Sequence, residues 1–313
     1  MPDKILQVAV GVIVNSDNEV LISKRSSNVH QADLWEFPGG KIEAGETTDQ
    51  ALCRELKEEL GIDIAATEYL NTVVFDYGDK KVCLNTCLVK EFKGQPKGLE
   101  GQPVKWVSVS DLNHYRFPAA NVAIINRLQF PDQIQITGEY STTDNLLNKT
   151  RSCFDKKINV LHFRAHNLND VEYIAQAKAL LSLCRENGVK LVLNRSLEVF
   201  NKIEADGLHL NRHEMKRFAN RPCAVDKLFS VSCHNEFEIK YAQKLEADYC
   251  LLSPVKPAFS HETAQTLGWN KFKELVALSN VPVYALGGMM IRDINEVKKY
   301  GGQGVASISE YWK

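Results

Sequence analysis

The sequence predicts an α/β protein of two domains, an N-terminal α/β/α sandwich on a mixed sheet and a C-terminal (β/α)8 barrel. Three observations lead to this prediction. The chain has 313 residues, a length that suits about two domains. Residues 5–128 mix strand and helix patterns in an irregular order. Beyond residue 131, short apolar segments alternate regularly with helical ones. We therefore expect one domain at 1–130 and another at 131–313.

In the N-terminal domain, apolar segments predict strands over 7–14, 19–23, 69–75, 81–89 and 101–107. The first two strands are expected to pair as a hairpin across the polar turn at 15–18. The helix at Thr48–Leu60 has a Thr-x-x-Gln capping box that starts at Thr47, a stripe of leucines and a terminating Gly61. A second helix is predicted over 120–128.

In the C-terminal domain, eight apolar strands are predicted, at 133–137, 160–163, 191–194, 207–210, 229–232, 249–253, 283–286 and 305–308. Helical patterns lie between them, for example at 171–186, 236–245 and 269–278. Eight strands that alternate with helices are the layout of a TIM barrel. An error of one strand in this count would instead give an open doubly wound sheet.

The composition argues against several classes of partner. Lys and Arg number 38 against 39 Asp and Glu, a formal net charge of −1, so binding to long nucleic acid is not expected. No apolar run approaches the ~20 residues that span a bilayer, so no membrane association is expected. The 8 cysteines include no CxxC pair and the N-terminus has no signal-peptide pattern, which predicts reduced thiols and a cytoplasmic location.

The strongest chemical signal lies on the helix at Thr48–Leu60. Glu55, Glu58 and Glu59 stand at i, i+3 and i+4 and therefore share one face. Carboxylates crowded in a cleft form an oxygen-rich site for a hard cation such as Mg²⁺, which suits attack of water on a phosphate chain. The Gly39-Gly40 pair before the helix allows close approach of the backbone. The alternative is a solvated, glutamate-rich surface helix.

The spacing of these residues resembles that of a known family. From Gly40 the chain reads Gly-x5-Glu-x7-Arg-Glu-Leu-x-Glu-Glu-x-Gly-Ile, which matches the Nudix hydrolase signature at every specified position. The flanking stretches at 35–43, 98–103 and 117–121 resemble those of MutT-type Nudix hydrolases, whose substrate is 8-oxo-dGTP. The resemblance thus extends beyond the helix to most of the N-terminal domain.

The resemblance implies a role for each matched position. The metal ligands would be Glu55, Glu58, Glu59, Glu100 and the Gly39 carbonyl, with Mg²⁺ as the cofactor and Mn²⁺ as a possible substitute. Arg54 would orient the glutamates, and Glu46 would brace the loop before the helix. Contacts with an oxidised purine nucleoside triphosphate are expected from Arg25, His30, Glu36, Phe37, Pro38, Gly39 and Asn121.

Asn121 has two interpretations. It precedes an apolar helix, where asparagine is a common helix cap. By resemblance, its side-chain amide would instead read the oxidised purine edge. An amide carries a donor beside an acceptor, and oxidation at C8 turns the purine N7 from an acceptor into a donor. We favour the base contact, although one residue could serve both purposes.

The C-terminal domain resembles thiamine-phosphate synthase and TenI-like proteins through short motifs at 205–210, 232–234, 247–249, 253–255, 282–289 and 304–306. Three departures from the synthase pattern stand out. The run at 162–166 lacks the expected lysine, Arg195 replaces an aspartate that would bind Mg²⁺, and 211–214 reads Asn-Arg-His-Glu. We therefore expect the barrel not to run the synthase reaction.

The barrel could nevertheless bind a phosphorylated small molecule. Barrels of this kind bind phosphate near the ends of strands seven and eight, where the Gly287-Gly288 turn lies. Arg164, Arg195 or His234 could supply further contacts. His162 and His209 fall inside predicted strands and are expected to pack in the barrel instead.

Three functional hypotheses follow. The first is Mg²⁺-dependent hydrolysis of 8-oxo-dGTP to 8-oxo-dGMP and pyrophosphate, with Glu55 as the base, which would sanitise the nucleotide pool and prevent mutation. The second applies the same chemistry to a thiamine diphosphate-related compound, which the fused barrel motivates and which Arg25, Phe37 and Asn121 argue against. The third treats the barrel as a regulatory module that binds a phosphorylated ligand.

Overall fold

The computed structural model describes residues 5–26, 31–156, 158–257 and 265–312, and it divides into two compact units between Gln129 and Phe130. Within these ranges, no helix is long and apolar enough to cross a membrane. All eight cysteines are free thiols, and six of them are buried.

The described residues of the N-terminal unit form seven strands, β1 (Leu6–Ile13), β2 (Glu19–Lys24), β3 (Trp35–Glu36), β4 (Gly39–Lys41), β5 (Asp63–Asp76), β6 (Lys81–Lys93) and β7 (Val104–Ser108). They form a four-stranded sheet of order β4-β1-β6-β5 and a three-stranded sheet of order β3-β2-β7. The first sheet is mixed, because β1 runs parallel to β6 and antiparallel to β4. The prediction of a mixed-sheet domain is confirmed.

The predicted pairing of the first two strands is wrong. The turn forms, with the Asn15 N–H donating to the Glu19 carbonyl at 3.0 Å. However, a single bridge between Val14 and Val20 joins the two strands before they enter different sheets. The physical reason is that β4 and β6 occupy the two edges of β1.

Two α-helices cover the mixed sheet, α1 (Thr48–Leu60) and α2 (Ala119–Gln129). The α1 prediction is confirmed: the Thr47–Gln50 capping box is present, and Gly61 ends the helix at φ 71°. Alternate residues of β1 face opposite sides, since Ala9 packs with the leucines of α1 and Val10 packs with Ile124 of α2. This places helices on both faces, as in an α/β/α sandwich.

The C-terminal unit is a closed barrel of eight strands, β8 (Gln133–Ile136), β9 (Val160–Phe163), β10 (Lys190–Asn194), β11 (Gly207–Leu210), β12 (Leu228–Cys233), β13 (Tyr249–Leu252), β14 (Val283–Ala285) and β15 (Gly304–Ser307). Every neighbouring pair is parallel, including β15 with β8. The barrel prediction is confirmed, and the open-sheet alternative is wrong. Each predicted strand end lies within one residue of the observed one.

The barrel helices are α3 (Thr143–Phe154), α4 (Asp170–Glu186), α5 (Leu197–Phe200), α6 (Glu236–Lys244), α7 (Gly268–Val276) and α8 (Ile294–Lys299). Inside the barrel, apolar side chains such as Tyr249 and Tyr284 form a separate cluster. Two histidines are buried with them: His162 bonds the Tyr249 hydroxyl at 2.6 Å, and the His209 ring bonds two serine hydroxyls at 2.8 Å. The expectation that both histidines are packed in the barrel is confirmed.

Candidate active site

Two glycines of β4 allow the carboxylates of α1 to approach the strand. The Gly39 N–H donates to Glu59 Oε2 at 3.3 Å. A Cβ on Gly40 would lie 2.1 Å from the Glu55 carboxyl carbon, so the Glu55 carboxylate rests where a side chain would otherwise be. Gly39 has φ 142°, and a Cβ there would lie 2.2 Å from the Ala9 carbonyl oxygen. Both positions therefore require glycine, each for a different reason.

Arg54 connects Glu55 to the loop before α1. Its Nε and Nη2 donate to the two oxygens of Glu46, each at 2.9 Å, and its Nη1 donates to Glu55 Oε1 at 2.8 Å. Hydrogen bonds from Arg54 lower the pKa of Glu46 to about 2. The more exposed Glu58 lies 3.5 Å from Arg54 Nη1. The arrangement fixes Glu55 from one side and leaves Glu58 at the rim.

Glu59 is where the acidic charges of the site converge. Burial is the largest cause that raises its pKa to about 8, and the charges of Glu36, Glu55 and Glu100 raise it further. The hydrogen bond from the Gly39 N–H acts in the opposite direction. Carboxylates from a strand, a helix and a loop thus lie close enough to repel one another. A divalent cation with oxygen ligands would relieve this repulsion.

The predicted ligands are not drawn together into a coordination shell. In the described part of the chain, no group of three or more His, Cys, Asp or Glu side chains is placed to hold a metal ion. The donor set still fits a hard cation, because it consists of carboxylate oxygens. For Gly39, the contact with a glutamate of α1 is made by its N–H rather than its carbonyl.

Most of the predicted substrate residues have partners within the protein. Arg25 forms an ion pair with Glu36, whose pKa is raised by burial although Arg25 opposes this shift. The Phe37 side chain is 3% exposed and stacks on Phe117 in the hydrophobic core, and its contact with a substrate stays a prediction. The Pro38 carbonyl accepts from the Gly11 N–H at 2.8 Å. His30 lies outside the described residues.

Asn121 is not a helix cap. It is the third residue of α2, and its N–H donates to the Pro118 carbonyl at 2.9 Å. Its side chain is 8% exposed, and Oδ1 faces the Phe37 N–H at 3.5 Å. The cap interpretation is therefore wrong, and the amide points from α2 towards the chain segment that follows β3.

Two residues near these groups were given no role in the sequence analysis. The Tyr77 hydroxyl accepts from the Ala120 N–H at 3.2 Å and connects the end of β5 to the start of α2. The Gln102 side chain donates to the Glu59 carbonyl at 3.1 Å. No local pattern marks Tyr77, whereas Gln102 lies beside Glu100 in a stretch already matched to the family.

The Gly287-Gly288 turn of the barrel packs on the loop after β13. The two glycines have φ values of 90° and 60°. A Cβ on Gly288 would lie 2.2 Å from the Pro257 carbonyl oxygen. Arg164 follows β9, is exposed, and donates from Nε to His166 at 3.0 Å. Within the described ranges, no contact joins Arg164 to either glycine, so the predicted phosphate site stays a prediction.

Two further candidates for phosphate contact already have protein partners. Arg195 Nη2 donates to the Leu168 carbonyl at 2.8 Å and to Asp170 at 2.9 Å, and the guanidinium lies 5.0 Å from the centre of the Tyr173 ring. His234 Nδ1 lies 2.9 Å from a carboxylate oxygen of Glu238. Arg195 thus ties the start of α4 to the end of β10, where it serves the fold.

Comparisons with known proteins assign each domain separately. The family described as thiamine monophosphate synthase matches residues 134–311, and the NUDIX domain family matches residues 9–127. The 8-oxo-dGTP diphosphatase of Escherichia coli is 44% identical over 126 residues, which are 40% of this chain and 98% of that protein. The CTP pyrophosphohydrolase of the same organism is 34% identical over 122 residues, 39% of this chain and 90% of that protein.

The barrel has its own relative. The putative thiamine-phosphate synthase 2 of Aquifex aeolicus is 29% identical over 184 residues, which are 59% of this chain and 99% of that protein. The chain therefore belongs to the Nudix hydrolases through its N-terminal domain and to the thiamine monophosphate synthase family through its C-terminal barrel. It is an enzyme with a Nudix hydrolase domain, and that domain resembles the 8-oxo-dGTP diphosphatases. Nudix hydrolases generally require a divalent metal.

Proposed function

We propose that the N-terminal domain hydrolyses 8-oxo-dGTP to 8-oxo-dGMP and pyrophosphate with Mg²⁺ and thereby removes an oxidised nucleotide before its use in DNA synthesis. The observation that carries the proposal is the half-buried Glu59, which the Gly39 N–H holds beside Gly39-Gly40 and whose pKa is raised by burial and by the charges of Glu36, Glu55 and Glu100. The similarity to the 8-oxo-dGTP diphosphatases, most of whose length this chain covers, supports the substrate.

In this proposal each carboxylate has a defined task. Mg²⁺ would be held by Glu55, Glu58, Glu59 and Glu100, and it would neutralise charge on the phosphate chain. Glu55 accepts the proton of the attacking water, and Arg54 keeps its carboxylate oriented beside Gly40. Glu59 accepts a hydrogen bond from the Gly39 N–H, which holds its carboxylate next to β4. The loop that carries Glu100 is bonded to the C-terminal end of α1 through the Leu99 N–H.

Asn121 supports recognition of an oxidised purine. In the part of the chain that the structure describes, Nδ2 donates to no protein acceptor, so both of its protons are free for a ligand. Oδ1 makes only a long contact with the Phe37 N–H and keeps a second lone pair. A donor beside an acceptor complements the O6 and N7–H edge of 8-oxoguanine, whereas the N7 of plain guanine would face Oδ1 as a second acceptor.

A second candidate substrate is a thiamine diphosphate-related compound. The barrel at residues 134–311 motivates it, because that family is described by thiamine monophosphate synthesis. The purine-directed amide of Asn121 argues against it. We propose further that the barrel is not a working synthase and binds a phosphorylated ligand instead, because Arg195 stands where the family would have an acidic metal ligand and is already bound to Asp170.

The test measures pyrophosphate and phosphate release by the full chain with Mg²⁺ from 8-oxo-dGTP, dGTP, CTP and thiamine diphosphate. We expect a preference for 8-oxo-dGTP that is lost in Glu55→Gln and kept in Glu68→Gln. Glu68 is a matched control, because it is an exposed glutamate paired with Lys90 on the neighbouring strand. A preference for CTP or thiamine diphosphate would overturn the substrate assignment while leaving the hydrolase in place.

A further inference from the structure

The loop after β6 caps the end of α1. The Lys97 N–H donates to the Leu60 carbonyl at 3.1 Å, and the Leu99 N–H donates to the Glu59 carbonyl at 2.9 Å. The last carbonyls of a helix have no donor within the helix and need partners from outside it. Here the partners come from the segment that also carries Glu100. The loop is therefore attached to the helix that bears the other carboxylates.

Gln102 adds the contact nearest to Glu100. Its Nε2 donates to the Glu59 carbonyl at 3.1 Å, and its Oε1 accepts from the Glu100 N–H at 2.9 Å. One side-chain amide thus bridges two residues that each supply a carboxylate to the candidate site. In the described chain, the Glu100 carboxylate itself makes no hydrogen bond or ion pair, so its place depends on its backbone.

The turn around Glu100 has little freedom of its own. The Gly101 N–H donates to the Gly98 carbonyl at 3.2 Å, and Gly101 has φ 83°. A Cβ on Gly98 would lie 1.8 Å from the Gln102 carbonyl oxygen, so the two ends of the turn are in close contact. A compact turn moves as one body, and the Gln102 amide fixes that body to Glu59.

Resting on the proposed hydrolase function, we propose that Gln102 is a positioning residue, which holds the Glu100 carboxylate beside Glu59 and thereby sets the affinity of the site for its divalent cation. Gln102 itself touches neither the cation nor the nucleotide in this proposal. It acts only through Glu100, and this distinguishes it from a residue that stabilises the domain in general.

The first test measures Mn²⁺ binding to the full chain by electron paramagnetic resonance, without any nucleotide. Gln102→Met keeps the size of the side chain and removes both hydrogen bonds. We expect Mn²⁺ to bind about tenfold more weakly, a loss typical of an outer-sphere partner of a metal ligand. We also expect hydrolysis by the variant to recover as the cation concentration is raised, at a temperature where the variant is folded without the cation, so that stabilisation by the cation does not explain the recovery.

The second test combines this variant with Glu100→Gln. If Gln102 acts through Glu100, Gln102→Met should weaken Mn²⁺ binding no further once Glu100 has lost its charge. The control is Gln129→Met. The Gln129 amide also forms two hydrogen bonds, since it donates to the Val109 carbonyl and accepts from the Asn113 side chain. It lies at the end of α2, away from Asn121. This variant should bind Mn²⁺ like the wild type.

Three results would overturn the inference. Gln102→Met alone could leave the Mn²⁺ affinity unchanged, or it could weaken Mn²⁺ binding equally in the wild-type and Glu100→Gln backgrounds. The third result is a Mn²⁺ affinity that Glu100→Gln alone does not change. A wrong substrate assignment would give a different result. The wild-type chain would then bind Mn²⁺ in the Glu100-dependent manner and yet release no pyrophosphate from 8-oxo-dGTP.

Discussion

Arg54 binds both carboxylate oxygens of Glu46, with Nε–Oε1 and Nη2–Oε2 distances of 2.9 Å each. The remaining nitrogen of the guanidinium donates to Glu55. One planar group thus joins the loop before α1 to the proposed base. The position of Glu55 therefore depends on a residue that precedes the helix.

Arg54→Lys should lower kcat while the chain stays folded. A lysine ammonium is a point charge and cannot bond Glu46 bidentately and Glu55 at once. We expect kcat for 8-oxo-dGTP to fall about 10- to 100-fold, the usual effect of losing a partner that orients a ligand. Steady-state kinetics would test this, with Arg151→Lys, an exposed arginine beside Asn148, as the control. Wild-type kcat in Arg54→Lys would contradict the role.

The two glycines of β4 should respond differently to alanine. In Gly40→Ala the three nearest contacts of the new Cβ are all at the end of the Glu55 side chain, which can move, so activity should fall with little change in Tm. In Gly39→Ala it meets the Ala9 backbone at a positive φ, so Tm should fall by several degrees. Calorimetry and kinetics on both variants would check this. Equal Tm losses would refute the distinction.

Asn121→Ala should reduce discrimination more than catalysis. The amide is proposed to contact only the purine edge, so kcat/KM for 8-oxo-dGTP should fall about tenfold or more while that for dGTP changes little. Competition between the two nucleotides would measure the ratio directly. Asn113→Ala, an exposed asparagine bonded to Gln129, should retain the wild-type ratio. A parallel loss for both nucleotides would mean that Asn121 serves only the fold.

The barrel should become less stable as the pH falls below about 6.5. Burial lowers the pKa of His209 from 6.5 to about 3, and burial also lowers the pKa of His162. Between these values the unfolded chain binds protons that the folded barrel does not, so the free energy of unfolding decreases with falling pH. Each histidine should contribute a slope of about 1.4 kcal/mol per pH unit.

Calorimetry between pH 5 and pH 8 would test this dependence. The barrel transition can be assigned by its shift in Leu191→Ala, a core substitution. His209→Gln keeps a polar side chain near Ser230 and cannot take up a proton, so its barrel Tm should depend less steeply on pH. A slope as steep as that of the wild type would exclude His209 as a source of the effect.

Local signals in the sequence were sufficient for α1 and the barrel strands. The Thr47 capping box, Gly61 and the leucine stripe all act within a few residues of one another, and the helix has the predicted ends. Buried parallel strands are continuous apolar segments, and each barrel strand was found. By contrast, β5 begins at Asp63, six residues earlier than predicted, because its first half is mostly exposed and has no continuous apolar segment.

Pairings between distant segments could not be predicted from such signals. The separation of β1 from β2 depends on β4 and β6, which are remote in the chain. The burial of the Phe37 ring against Phe117, and the approach of the Asn121 side chain to the Phe37 N–H, likewise depend on long-range packing. The sequence shows that residue 195 is an arginine, but its hydrogen bond to Asp170 depends on where α4 begins in the fold.

The closure of the barrel by β8 and β15 has a consequence for how the chain folds during synthesis. Residues 133–135 pair with 305–307, so the ring closes only after its last strand has left the ribosome. The N-terminal unit has all of its strands and helices before residue 130 and can fold while the barrel is still being made. A nascent chain therefore carries a folded hydrolase domain ahead of an unclosed sheet, whose two open edges are protected only once residues 304–307 have emerged.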